Sequence, residues 1–217
     1  MIARLKIDFV SDVSCPWCVI GLRGFEEGLA RAADVVDAEI VFQPFELNPA
    51  MPPEGQDLGE HIAQKYGSTA AQSTANRAMI RDRAAELGFT MSIADGRRIY
   101  NTFDAHRLLH WAATHGKQKA LKEALFRLYF TDDGDPSNHA ELVTVAASVG
   151  LDANEARKIL SSGRYADVVR TEEQLWQSRG IQSVPAVIIN ERYLISGGQP
   201  PEAFEQALRG IAAELTG

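Results

Sequence analysis

Cysteine is nearly missing from this chain: its 217 residues carry two, Cys15 and Cys18. Thiols three positions apart close too short a loop to staple a fold, and a secreted disulfide framework needs several spaced cysteines. A disulfide scaffold is thereby excluded, and the value of the pair is chemical. Long apolar runs are lacking too, so no transmembrane segment is expected. Near the N-terminus, Arg4, Lys6, Asp8 and Asp12 interrupt the stretch that a signal peptide would keep apolar. A cytoplasmic location is the expectation, in a reducing compartment where a vicinal cysteine pair serves catalysis or metal binding more often than structure. There is no surplus of positive charge either. Lys and Arg number 22 against 29 Asp and Glu, for a net charge of −7, which argues against nucleic acid and anionic membrane as partners. No repeat period is evident. With 45% hydrophobic residues, the chain can bury a core as one domain with a large insertion, or as two small lobes.

What is present follows a definite order. Residues 4–10 and 38–45 look like short buried strands, and Trp17 to about Ala33 has helical spacing through Leu22, Phe25 and Leu29. This is a βαβ unit, broken afterwards by the proline-rich stretch from Pro44 to Pro53. From about 57 to 179 apolar residues recur at helical spacing: Leu58, Ile62 and Tyr66; Ile80, Ala84 and Leu87; Ile99 and Phe103; Leu121, Leu125 and Leu128. Six to eight helices are expected there, with Gly88, Gly116 and Gly150 as stops and Asp152 with Glu155 as a capping box. Strand character returns at 186–189 and 193–195 around an Asn190-Glu191 turn. Pro200-Pro201 then starts a last helix with Phe204, Leu208, Ile211 and Leu215 as its buried stripe.

Cys15-Pro16-Trp17-Cys18 falls where the first strand ends and the first helix begins. The thiolate is the nucleophile of disulfide exchange, and a helix N-terminus offers unsatisfied N–H groups and the positive end of the macrodipole to stabilise negative sulfur on Cys15. Pro16 suits the first turn because it has no N–H to leave unpaired. Cys15 is expected to form a mixed disulfide with a substrate, and Cys18, one turn further in and more buried, to resolve it. Trp17 offers an apolar platform beside the sulfur for a peptide or for glutathione. The same spacing is also half of a zinc site. No second cysteine pair completes it, and His61, His106, His110, His115 and His139 form no metal signature beside it.

A strand, Cys-x-x-Cys at a helix start, a second strand, and a late Val184-Pro185 leading into a hairpin and closing helix together resemble the DsbA superfamily. More narrowly, Ser11-Asp12-x-x-Cys15-Pro16-Trp17-Cys18, Asn101-Thr102 followed by Ala105-His106-Arg107-Leu108, and Ser196-Gly197-Gly198-Gln199-Pro200 are similar to its FrnE-like cytoplasmic branch. The resemblance implies an α/β, thioredoxin-like fold (β-α-β … β-β-α) interrupted by a large all-helical insertion. Residues 1–54 and 180–217 would form the thioredoxin-like domain, and residues 55–179 the insertion. It implies a cis bond at Pro185 abutting Cys15, with the Val184 backbone free to pair with an extended substrate as an added strand. It implies a thiol–disulfide oxidoreductase acting on protein or low-molecular-weight substrates, with no tightly bound cofactor and with glutathione as a redox partner or co-substrate. Two departures from the pattern stand out. The position six before the nucleophile, a buried acid in thioredoxin and DsbA, is Phe9, flanked by Asp8 and Asp12 at other registers. Trp17 stands where DsbA has histidine within the motif.

Other candidates have plainer explanations. His106 and His110 lie four apart, but Arg107 fills the place that a zincin gives to Glu, so half-buried structural histidines are expected; the resemblance leaves His106 a place along the cleft between lobes. Phe45, Asn48 and Pro49 are assigned to packing, Gly197-Gly198-Gln199-Pro200 to a turn into a helix, and Trp111 and Trp176 to the core of the insertion. A second activity class shares the architecture: glutathione-dependent isomerases and transferases resembling 2-hydroxychromene-2-carboxylate isomerase and kappa-class glutathione transferases. These place Ser where Cys15 stands, and an enzyme that only activates glutathione needs no resolving thiol. A non-enzymatic binding module using the same groove is the third reading. Direction of exchange follows from reduction potential, which composition does not set, and monomer and homodimer are both open.

Overall fold

A computed structural model describes residues 1–92, 94 and 96–216. Strand β1 (Ala3–Ser11) runs into helix α1 (Pro16–Arg31), which returns the chain to β2 (Val36–Pro44). β2 pairs parallel to β1, with Ala3 opposite Val36 and Ser11 opposite Pro44. At the other end of the chain, β5 (Ala186–Ile189) and β6 (Tyr193–Ser196) form a hairpin, and α9 (Pro201–Thr216) closes the sequence. Asn190 and Glu191 in the turn both adopt positive φ, the conformation that matches a two-residue turn to the twist of its strands. β5 lies antiparallel to β1, Phe9 opposite Val187, so the sheet order is β2-β1-β5-β6 with β1 inside.

A central strand must bury both faces, and the sequence of β1 does so by alternation. Leu5, Ile7 and Phe9 join α1 and α9 in one cluster, where Phe25 meets Phe204 edge-on with ring centroids 5.3 Å apart. Val10 faces the other way, onto Phe45, Trp176, Ile181, Ala186 and Ile188. α1 and α9 approach closely because α1 offers glycines to its partner: a Cβ on Gly28 would lie 2.7 Å from that of Phe204. The apolar stripe expected of α9 is buried as far as Ile211, whereas Leu215 in its last turn is 46% exposed.

Between the two halves of the sheet lie α2 (Leu58–Tyr66), α3 (Ala70–Glu86), α4 (Phe103–Ala113), α5 (Gln118–Phe130), α6 (His139–Ser148), α7 (Ala153–Leu160) and α8 (Ala166–Ser178). Side chains satisfy several of their N-termini: Thr69 and Gln72 form a capping box on α3, Asn138 caps α6 and Asp152 caps α7. Gly88, Gly116 and Gly150 all take positive φ just after helices. Among the described residues, the regular structure of the intervening segment is helical apart from one two-stranded pair, β3 (Gln56–Asp57) with β4 (Arg98–Ile99). Ile99 belongs to that pair; the helical spacing shared by Ile99 and Phe103 spans a strand and the first residue of α4, a coincidence that a two-residue strand is too short to reveal. α4 to α7 have a core of their own around Leu108, Trp111, Leu121, Leu125, Leu142 and Ile159. Trp176 does not join it, packing instead against the sheet. Among the described residues, no helix is long and apolar enough to cross a membrane.

Candidate active site

The carboxyl end of β1 delivers the chain to the site through four buried residues, Ser11, Asp12, Val13 and Ser14. Asp12 organises this connection. Its carbonyl accepts the Cys15 N–H at 3.3 Å, its Oδ1 accepts the Ser14 N–H at 3.1 Å, and its Oδ2 accepts the Leu47 N–H at 2.8 Å. Burial works to raise the Asp12 carboxyl, but the contact with His106 and the two amide N–H groups hold it below the ordinary aspartate value.

Cys15 is the N-cap of α1, with extended backbone and no side-chain capping bond, and Pro16 follows at the first helical position. The Cys15 thiol donates to the carbonyl oxygen of Val184 at 3.6 Å. Cys18 lies one turn on, its N–H donating to the Cys15 carbonyl at 3.0 Å. Both are free, buried thiols; Cys15 keeps 3% exposure and Cys18 none, so Cys15 is the nearer of the two to the surface. Burial, then the hydrogen bond and charge of Cys15, push the Cys18 thiol well above its usual value, and Lys122 acts against that shift.

The Val184–Pro185 peptide is cis. The loop after β6 holds it: Gly197, at φ +81°, donates its N–H to the Pro185 carbonyl at 2.8 Å. A Cβ on Gly21 would sit 2.7 Å from Pro185 Cγ, and one on Gly198 would sit 3.1 Å from the Trp17 carbonyl oxygen. Gly197-Gly198 is therefore more than a turn into α9, because it seats the proline loop against α1 at a distance that side chains would prevent.

Pro16, Trp17 and Val184 are half-exposed around Cys15. Two residues that sequence reasoning did not single out for the site complete this rim. Arg83 of α3 lies over the Trp17 ring at 5.5 Å. Tyr66 of α2 is 64% exposed, and its hydroxyl is pushed up by partial burial and then by the charge of Cys15. Their helices bury little, which is why hydrophobic patterning identified the elements without identifying their purpose.

His106 is elsewhere. At 2% exposure it lies beneath the β1–α1 connection, its Nε2 3.7 Å from Asp12 Oδ1 and, among the described residues, without a hydrogen-bond partner; burial under that connection keeps it off the rim that Trp17 and Val184 share. The motif around it holds α4 in place. Asn101 Oδ1 accepts the Phe103 N–H at 2.9 Å, and buried Arg107 donates to Asp104 at 2.7 Å and to the carbonyls of Ile159, Ser162 and Arg164. His110 pairs with Glu172 at 3.3 Å. Among the described residues, no three of His, Cys, Asp and Glu are grouped as metal ligands.

Two further buried features carry charge. Glu46 and Glu173 share Arg170: its Nη1 bonds Glu46 Oε1 and, at 2.8 Å, Glu173 Oε2, while Asn101 Nδ2 donates to Glu46 Oε2 at 3.3 Å. Burial, reinforced by the charge of Glu173, raises Glu46 to about 7 despite Arg170. The second is Lys122 of α5, 0% exposed, its Nζ donating to the Ser11 carbonyl at 3.4 Å. A signal for it existed. Lys122, Phe126 and Tyr129 share helical register on a face distinct from Leu121 and Leu125, and a lysine aligned with two core aromatics is placed to be buried.

The family model of the DSBA-like thioredoxin domain matches residues 6–209. The crystal structure of a probable DsbA oxidoreductase from Streptomyces coelicolor is 34% identical and superposes with a TM-score of 0.91, covering 98% of this chain and 92% of that one. The uncharacterized protein YwbO of Bacillus subtilis is 26% identical over 94% of this chain and 96% of its own. A 2-hydroxychromene-2-carboxylate isomerase shares the fold at 14% identity, with a TM-score of 0.71, 98% of this chain and 100% of the other being covered.

Proposed function

Since the chain belongs to the family of DSBA-like thioredoxin domains, we propose that it is a thiol–disulfide oxidoreductase in which Cys15 and Cys18 exchange disulfides with protein or small-thiol substrates. The observation that carries this reading is the asymmetry of the two thiols. One caps a helix at the edge of an apolar rim, and the other is fully buried one turn behind it. Cys15 sulfur attacks a substrate disulfide R–S–S–R, forming Cys15–S–S–R and releasing one thiolate. Cys18 then loses its proton and attacks Cys15 Sγ. The Cys15–S–R bond breaks, R leaves as a second thiolate, and the enzyme ends as an internal disulfide, two electrons having passed to the substrate. Reduction by a thiol couple such as glutathione reverses these steps, and under the opposite poise the same chemistry oxidises substrate dithiols.

The Val184 backbone supports substrate binding. It lies beside Cys15, and among the described residues its N–H donates to no other group, so an extended peptide can pair there as an added strand while Trp17 covers its side chains. A paired Cys15 and Cys18 favours exchange over the glutathione-dependent isomerase reading, because an enzyme that only activates bound glutathione has no use for a resolving thiol. A reducing cytoplasmic setting, with glutathione as the recycling thiol, fits such a pair.

Trapping tests the proposal. Cys18→Ser incubated with a disulfide-bonded protein substrate accumulates a covalent adduct through Cys15, resolvable by mass, whereas Cys15→Ser accumulates none. Equal adduct formation by both variants contradicts the assignment.

A further inference from the structure

Lys122 is a buried cation that the exchange scheme leaves unused. Among the described residues its Nζ makes a single hydrogen bond, to the Ser11 carbonyl at 3.4 Å, although an ammonium has three donors to satisfy. It lies over the Phe126 ring at 5.1 Å, and Phe126 belongs to the same buried cluster as Cys15 and Cys18. The ionisable groups facing it are Asp12 from the β1–α1 connection, the two cysteines from α1, His106 and His110 from α4, and Glu172 from α8, the last three lining with it a narrow crevice between Gln43 and Gln118. A buried, under-bonded charge costs stability unless something compensates it. The position that holds a carboxylate in thioredoxin is the fully buried Phe9 here, packed edge-on against Phe42.

We propose that Lys122, supplied by the helical segment and not by the sheet, is a positioning residue whose ammonium stabilises the Cys18 thiolate while it resolves the mixed disulfide. The inference rests on the exchange reading above. In the resolving step Cys18 gives up its proton, which ends on the substrate thiolate that leaves or in solvent. The sulfur anion forms the Cys15–Cys18 bond as the Cys15–substrate bond breaks and the substrate thiolate departs. The anion exists only between those events, in a site closed to water, where a nearby fixed cation is worth far more than in solution. Burial lowers Lys122 itself to about 8, against the charges of Cys18, Asp12 and Cys15, so the ammonium predominates at neutral pH.

A chromogenic aromatic disulfide separates the two steps: attack by Cys15 releases one coloured thiolate, and resolution by Cys18 releases the second. For Lys122→Met the second release slows about tenfold or more at neutral pH, with its pH midpoint displaced upward by about one unit or more, while the first changes much less. Lys122→Arg, which keeps the cation, retains most of the second phase. Met has similar length and removes a buried, under-bonded charge that is itself costly; Lys122→Gln provides the same comparison if Met does not fold. Neutral variants whose second release keeps the wild-type rate and pH profile, or in which both phases slow equally, overturn the proposal. A wild-type protein that releases only one thiolate contradicts the exchange reading instead.

Discussion

The thiol of Cys15 and the carbonyl oxygen of Val184 are 3.6 Å apart in space and 169 residues apart in sequence. Between them the chain builds eight helices among the described residues, α1 to α8, so the contact exists only once β5 has paired with β1. Closing so long a loop costs conformational entropy, and the buried faces of β1 offset it. Phe9→Ala, which empties a fully buried position in that strand, is expected to cost about 3–5 kcal/mol, measured by urea unfolding.

Gly21 bears directly on the same contact. A methyl group there meets Pro185 Cγ at 2.7 Å, and the ring cannot yield without moving Val184 away from Cys15. Gly21→Ala is expected to lose about 1–3 kcal/mol of stability by overpacking and to slow exchange with a peptide disulfide more than with a small aromatic one. Steady-state rates on the two substrates check this, and equal slowing on both contradicts it.

Trp17 and Arg83 make an apolar and cationic lip beside the thiol. Trp17→Ala removes surface that a bound peptide would cover, so KM for a peptide substrate is expected to rise several-fold while alkylation of Cys15 by a small reagent keeps its rate. Parallel measurement of the two quantities separates substrate contact from an effect on the sulfur.

Glu46 gives the fold a pH dependence of definite sign. Its folded value of about 7 lies above the ordinary 4.5, so between those values the native state holds a proton that the unfolded chain has released. Stability from this group is present below about 4.5 and is lost as pH rises through 7. Glu46→Gln removes the titration, and the difference in urea midpoint between wild type and variant should therefore change across that window. A pH-independent difference contradicts the assignment.

Much of this arrangement is legible in the sequence, for reasons that particular residues show. Alternation in Leu5, Ile7 and Phe9, the 3.6-residue spacing in α1 and α9, and Asn190 in a two-residue turn report local geometry that each segment needs for itself. The cysteine pair is visible because two thiols three apart have few other uses. The polar groups under the site are harder to read. Asp12, His106, Glu46, Glu173 and Lys122 come from separate elements; the helical register of Lys122 with Phe126 and Tyr129 hints at its burial, but that these groups gather under one site appears only when tertiary packing brings their elements together. The role of Gly198 is hidden for the same reason, since its constraint is the approach of Trp17 and not its own backbone.

The most direct test is a glutathione redox titration of the wild-type protein, followed by mass and thiol count. The account predicts a single two-electron transition to an internal Cys15–Cys18 disulfide, with no glutathione retained at equilibrium. A protein that stops at a stable Cys15–glutathione adduct, or whose thiols do not respond to the couple at all, contradicts it.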